Sequence, residues 1–169
     1  GKRNVTRHAN IFAILFHIAT AEEQEKILEN VIKNDAIPAI TTPYFEFYEL
    51  IAMCKAGELD YMQDMLESYW GGMLRLGATT IWEQFDPHKT GAQHYAMYGQ
   101  KYGCSLCHAW GAGPVYLLGR FCAGVYPTSI GTKPLPSPPI PGNINGLKAR
   151  CRYSAERFAW TIPRIRFVC

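Results

Sequence analysis

Long apolar runs are missing from this 169-residue sequence. The longest, residues 11–19, is interrupted by His17, and a bilayer-crossing helix needs about 20 apolar residues. No membrane partner is expected. The N-terminus also lacks a basic start, a small-residue cleavage site and an initiating Met, so no export signal is visible. Acidic charge is nearly absent from the last fifty residues: Glu156 stands alone against eight Lys and Arg, whereas residues 1–119 hold 13 acids and nine bases. A basic end of this kind invites a nucleic-acid reading. It has neither the helical basic periodicity nor a binding motif for one, so no nucleic-acid partner is expected. The charge change marks a join between two kinds of sequence near Tyr126.

A cysteine framework is lacking too. The six cysteines, at 54, 104, 107, 122, 151 and 169, lie in a chain long enough to bury one good core without staples. Cys54 and Cys122 sit among apolar neighbours and read as buried thiols. Unpaired thiols and no visible export signal favour a reducing, cytoplasmic compartment. Histidines at metal-ligand spacing are likewise missing. His88 and His94 lie six apart with no convincing third ligand, so no metal is expected, and His17 reads as a core histidine on an apolar helix.

What is present is helical periodicity. Phe12, Leu15, Phe16 and Ala19 predict a helix over residues 9–20. Thr20 and Glu23 then form a capping-box pattern ahead of a second helix carrying Ile27, Leu28, Val31 and Ile32. Thr42 and Pro43 open a third, with Phe47, Leu50, Ile51 and Cys54 on its buried side and Gly57 as its stop. A fourth covers residues 58–70, and a fifth residues 105–123. The short connections predict helical hairpins and an all-α fold. Residues 71–103 lose periodicity and read as a long functional loop. Prolines 127, 134, 136, 138, 139 and 141 exclude a helix or central strand beyond Tyr126.

Two motifs carry chemistry. Cys104-Ser-Leu-Cys107-His108 matches the short c-type haem attachment pattern, which would place two thioethers on a porphyrin and His108 on iron. A five-residue pattern is met cheaply by chance, the reading as two thiols entering a helix outweighs it, and no cofactor is expected. The second motif is Thr79-Thr80-Ile81-Trp82-Glu83-Gln84-Phe85-Asp86-Pro87, one carboxylate set among aromatics. Aromatic faces suit the C–H faces of a sugar ring, and apolar walls raise a carboxylate's pKa and exclude water. Sugar hydrolysis uses two carboxyl groups. A capped surface carboxylate is the other reading of Glu83.

Five motifs in order resemble the α-L-rhamnosidases of glycoside hydrolase family 78. They are Arg7-His8-Ala9-Asn10, Thr41-Thr42-Pro43-Tyr44-Phe45, Tyr69-Trp70-Gly71-Gly72-Met73, Gly77-Ala78-Thr79-Thr80-Ile81-Trp82-Glu83 and Ser105-Leu106-Cys107-His108-Ala109-Trp110-Gly111-Ala112. The resemblance covers about residues 7–127. It implies an (α/α)6 toroid of which residues 1–126 form the C-terminal part, and an inverting enzyme releasing terminal L-rhamnose from glycosides. It implies Glu83 as the general base and His108 as a sugar contact, with Trp82, Tyr44 and Trp110 as candidate pocket walls. The family's general acid lies upstream of this sequence, so the chain is expected to be inactive alone and to need the missing N-terminal part of its domain. Family members continue past Gly124-Val125-Tyr126-Pro127-Thr128 into a small β-sandwich. Residues 127–169 are instead expected to be a divergent, truncated or frame-shifted irregular tail. A non-catalytic carbohydrate-binding or scaffolding remnant of the same fold is the alternative function.

Overall fold

The computed structural model describes residues 4–126, 135–136, 148–153 and 156–161. They form two compact units that divide between Gly113 and Pro114. In the first unit, helix α1 (Arg7–Leu15) packs on α3 (Pro43–Lys55), which packs on α4 (Leu59–Met65). Helix α2 (Ala21–Ile27) continues through a π-helical turn, Leu28–Ile32, that contacts α1. Ile11, Ile14, Leu28, Val31, Ile32, Ile40, Ala52 and Met53 close the core between these elements. Burying each large side chain there is worth about 1.5–3 kcal/mol. No helix among the described residues is long and apolar enough to cross a membrane.

The capping box is formed as expected. The Thr20 backbone N–H donates to Glu23 Oε2 at 2.8 Å, and the Glu23 N–H donates to Thr20 Oγ1 at 3.3 Å. Pro43 opens α3. Three helices end in one closing motif, in which the first residue past the cap is left-handed and two amides bond back to the last turn. Gly57 (φ +90°) and Gly77 (φ +87°) take that position after α3 and after the helix through Arg75.

After α1 the position falls to His17 (φ +55°), whose N–H donates to Ile14 O while the Ile18 N–H donates to Ala13 O. This corrects the first helix, which stops at Leu15, and it corrects His17. The histidine is exposed, a cap residue and not a core one.

The fourth helix is longer than its periodicity suggested. Helix α4 runs on through a π-helical turn, Leu66–Trp70, into α5 (Gly71–Arg75). Two glycines would ordinarily end it. Here the Phe85 ring fills the side-chain space of Gly72, lying 2.6 Å from where a Cβ would stand. Tertiary packing thus overrides weak local propensity. Beyond Arg75 the chain is irregular, as expected, apart from the 3-10 turns Gly91–Tyr95 and Ala109–Gly111.

Helix α6 (Gly113–Leu117), which from Pro114 onward belongs to the second unit, and a π-helical turn, Leu118–Cys122, replace the expected fifth helix. That helix begins eight residues late because Ser105 and His108 spend their backbone groups on pairing with residues 81–83. Within this unit the Arg120 guanidinium lies 5.0–5.8 Å from the ring centres of Tyr116, Phe121 and Tyr126. Strand β1 (Val125–Tyr126) pairs antiparallel with β2 (Leu135–Pro136). Strands β3 (Lys148–Tyr153) and β4 (Glu156–Thr161) pair antiparallel from Lys148–Thr161 to Tyr153–Glu156. The arginine-rich part of the tail is therefore partly paired, although its sequence shows little alternation. The remainder of the tail lies outside the described residues.

Candidate active site

Two irregular segments are laced together to make the site. The Glu83 N–H donates to Ser105 O and the His108 N–H to Ile81 O, both at 2.8 Å. The Thr80 hydroxyl donates to Leu106 O. From the helical side, the Phe85 N–H donates to Thr41 O at 2.9 Å and the Tyr69 hydroxyl to the same oxygen at 2.6 Å. Trp70 Nε1 donates to Gly111 O at 2.9 Å, and Gly111 lies against Ile81 with no room for a Cβ. These ties fix residues 81–85 and 105–111 on a helical base.

Glu83 is 6% exposed. Its Oε1 accepts from the Tyr98 hydroxyl at 2.7 Å, and its Oε2 accepts from the Ser105 N–H at 3.0 Å. His108 Nδ1 stands 3.8 Å from Oε2. The Tyr98 bond first, then the Ser105 amide, hold the Glu83 carboxyl below its ordinary value, with His108 adding in the same direction; burial opposes them. The expectation that apolar walls would raise this carboxyl is reversed. Donors aimed at the charged form outweigh desolvation. Glu83 is an ionised carboxylate, the state a general base needs.

His108, Trp110 and Tyr44 form a continuous aromatic row beside it. His108 lies 4.2 Å from Trp110 between ring centres, and Trp110 stacks on Tyr44 at 5.5 Å and 28°. Trp110 is 39% exposed and Tyr44 38%. Tyr44 stands near the start of α3 and Trp110 in the turn Ala109–Gly111. Trp82 is not in the row. It is buried edge-on to Tyr95 at 5.7 Å and near Phe85. Adjacent residues of an extended segment point oppositely, so the segment that presents Glu83 turns Trp82 into the packing beneath.

Residues missed from the sequence are Tyr98, one of several loop tyrosines, and the Ser105 amide, which no side-chain pattern reports. The Cys-x-x-Cys-His residues divide. Cys104 is buried with its thiol 3.8 Å from Gln84 O, Cys107 is exposed, and His108 faces Glu83. His88 pairs with Asp86 at 3.1 Å, while His94 stacks on Phe85 at 5.4 Å. Among the described residues no three His, Cys, Asp or Glu side chains gather as a metal site.

A buried polar cluster lies apart from this site. Arg7 Nη1 donates to Glu49 Oε1 at 2.8 Å, and the Tyr61 hydroxyl donates to the same oxygen at 2.7 Å. Glu46 is buried with Oε1 unpartnered. Burial, then the Glu49 charge, push its carboxyl well above the usual range, against Arg7. Burial also pushes Glu49 upward, against Arg7 and Tyr61. A cavity of about 430 Å³ opens beside the cluster, lined by Arg7, Glu46, Tyr61, Tyr69, Asp86 and His88 among others; neither Glu83 nor His108 touches it.

Helical hairpins here present one hydrogen-bonded carboxylate beside an exposed aromatic row. Residues 2–121 match the family described as the bacterial alpha-L-rhamnosidase 6 hairpin glycosidase domain. The chain belongs to that family. A rhamnosidase from Klebsiella oxytoca, solved with rhamnose bound, is similar at 33% identity and a TM-score of 0.58, over 69% of this chain and 22% of its own. The GH78 family rhamnosidase of Bacillus sp. GL1 is similar at 28% identity and a TM-score of 0.60, over 74% of this chain and 13% of its own. This chain thus spans less than a quarter of either protein. No curated protein sequence matches it.

Proposed function

We propose that this chain carries the base side of a sugar-hydrolysing site that takes a terminal L-rhamnosyl group and works by inversion. Glu83 takes the proton of the attacking water. The observation that carries this is its carboxylate, buried yet held ionised by Tyr98 and Ser105 beside the His108–Trp110–Tyr44 row. Such a row offers flat apolar faces to sugar C–H groups, and His108 a polar ring nitrogen to a sugar hydroxyl. That the Klebsiella oxytoca protein is described with rhamnose bound supports rhamnose as the sugar. Trp82 supports the site from beneath.

Inversion needs a second carboxyl about 6.5–9.5 Å from the first, across the sugar. The family resemblance gives that general acid to no residue of this chain. Residues 1–126 are on this reading the C-terminal part of a six-hairpin domain, and 127–169 a divergent tail. Hydrolysis requires the part of the domain that brings the acid. The purified chain is expected to bind L-rhamnose without cleaving an aryl rhamnoside. Titration calorimetry with L-rhamnose tests the site. Loss of binding in Glu83→Gln or in His108→Ala supports it, and unchanged binding in both returns the chain to a carbohydrate-binding or scaffolding remnant.

A further inference from the structure

We infer that Tyr98 is the positioning residue of the Glu83 carboxylate, carried by a loop whose backbone is shaped to deliver its hydroxyl. The inference rests on the reading of Glu83 as a base and adds the residue that aims it. Met97 and Gln100 exchange backbone hydrogen bonds at 3.0 and 2.9 Å, which leaves Tyr98-Gly99 as a two-residue hairpin turn. Both turn residues are left-handed, Tyr98 at φ +53° and Gly99 at φ +74°. A turn of this type favours Asn-Gly or Asp-Gly, and an aromatic residue at its first position is strained. Nothing in ring packing accounts for it, since Tyr98 is 72% exposed. Among the described residues its hydroxyl bonds Glu83 Oε1, at 2.7 Å. An outlier of this kind, kept where a commoner residue would relax it, points to a task at the side chain.

The loop is braced on both sides of the turn. The Cys104 N–H donates to Tyr95 O at 3.0 Å, and Gly103 lies so close to Met97 O that a Cβ would stand 2.2 Å from it. The same loop ends in the Ser105 amide that holds Oε2. One loop therefore holds both carboxylate oxygens, and each oxygen keeps a lone pair for water. Of the residues that titrate, Tyr98 and Cys104 face Glu83 from this loop, and His108 from the segment that follows it. The bond to the carboxylate raises the Tyr98 hydroxyl, which stays protonated and donating.

The test is a ¹³C-carboxyl NMR titration of the Glu-labelled chain, with Tyr98→Phe and Tyr98→Asn. Both variants remove the hydroxyl, while Asn tolerates the left-handed turn. The Glu83 midpoint is expected to rise in both, and the thermal midpoint of Tyr98→Asn to equal or exceed that of the parent. An unchanged Glu83 midpoint in Tyr98→Phe overturns the inference, and so does an unchanged midpoint in a well-folded Tyr98→Asn. The base reading fails separately, through unaltered rhamnose binding in both Glu83→Gln and His108→Ala, which leaves the titration result standing.

Discussion

Breaking the Arg7–Glu49 pair on one side is expected to cost a large share of the stability of the helical unit. The pair stands at 2.8 Å, with 7% of Arg7 and none of the Glu49 side chain exposed. Glu49→Ala removes the counter-charge and both bonds to its Oε1 and leaves the Arg7 guanidinium buried. Losing one partner of a buried pair costs about 3–5 kcal/mol, against a total stability of about 5–15 kcal/mol for a domain. Arg7→Met with Glu49→Leu removes both charges and fills the space with apolar atoms, and replacements of that kind are often neutral. The double variant is therefore expected to regain at least about 2 kcal/mol over Glu49→Ala. Urea unfolding of the parent, Glu49→Ala, Arg7→Met, Glu49→Leu and the double at pH 7 measures this, provided the denaturant slopes agree. A loss below about 1 kcal/mol in Glu49→Ala, as for an exposed pair, refutes the reasoning. So does a coupling energy near zero.

Glu46 binds its proton more tightly folded than unfolded. Its stabilising share is complete below about pH 4.3, the unfolded value, and is lost as pH rises toward the folded midpoint. Glu46→Gln is thus expected to gain stability relative to the parent as pH rises from 4 to 8, and parallel curves in urea unfolding would contradict this. His17→Gly relieves the left-handed cap after α1 and is expected to stabilise by about 1 kcal/mol, read as a higher urea midpoint. Gly103→Ala drives a Cβ against a backbone carbonyl and is expected to cost about 1–3 kcal/mol and to shift the Tyr98 ring signals, which an unperturbed spectrum would disprove.

The helical hairpins were legible because their signals are local. Thr20 and Glu23 cap α2, Pro43 opens α3, and Gly57 sits where α3 closes. His17 misled because the same closing motif was met without glycine. The helix through Gly71 and Gly72 was hidden because what permits it, Phe85, lies outside the helix. At the site, Glu83, His108, Trp110 and Tyr44 were legible through motif order, and they do come together. Tyr98 and the Ser105 amide were not, since a turn at Tyr98-Gly99 carries no Asn or Asp signal and a backbone donor carries no residue type. Glu46 and Glu49 were passed over because a charged residue on a helix ordinarily faces water. Only the fold brings Arg7 to Glu49.

The most direct test of the site is to map L-rhamnose onto the ¹⁵N-labelled chain by amide chemical-shift changes. Saturable shifts are expected, confined to residues 81–85, 98 and 105–110, with Tyr44 and its neighbours at the start of α3. Shifts clustered instead at Arg7, Glu46 and Asp86, around the separate cavity, would contradict it, as would a titration without any shifts.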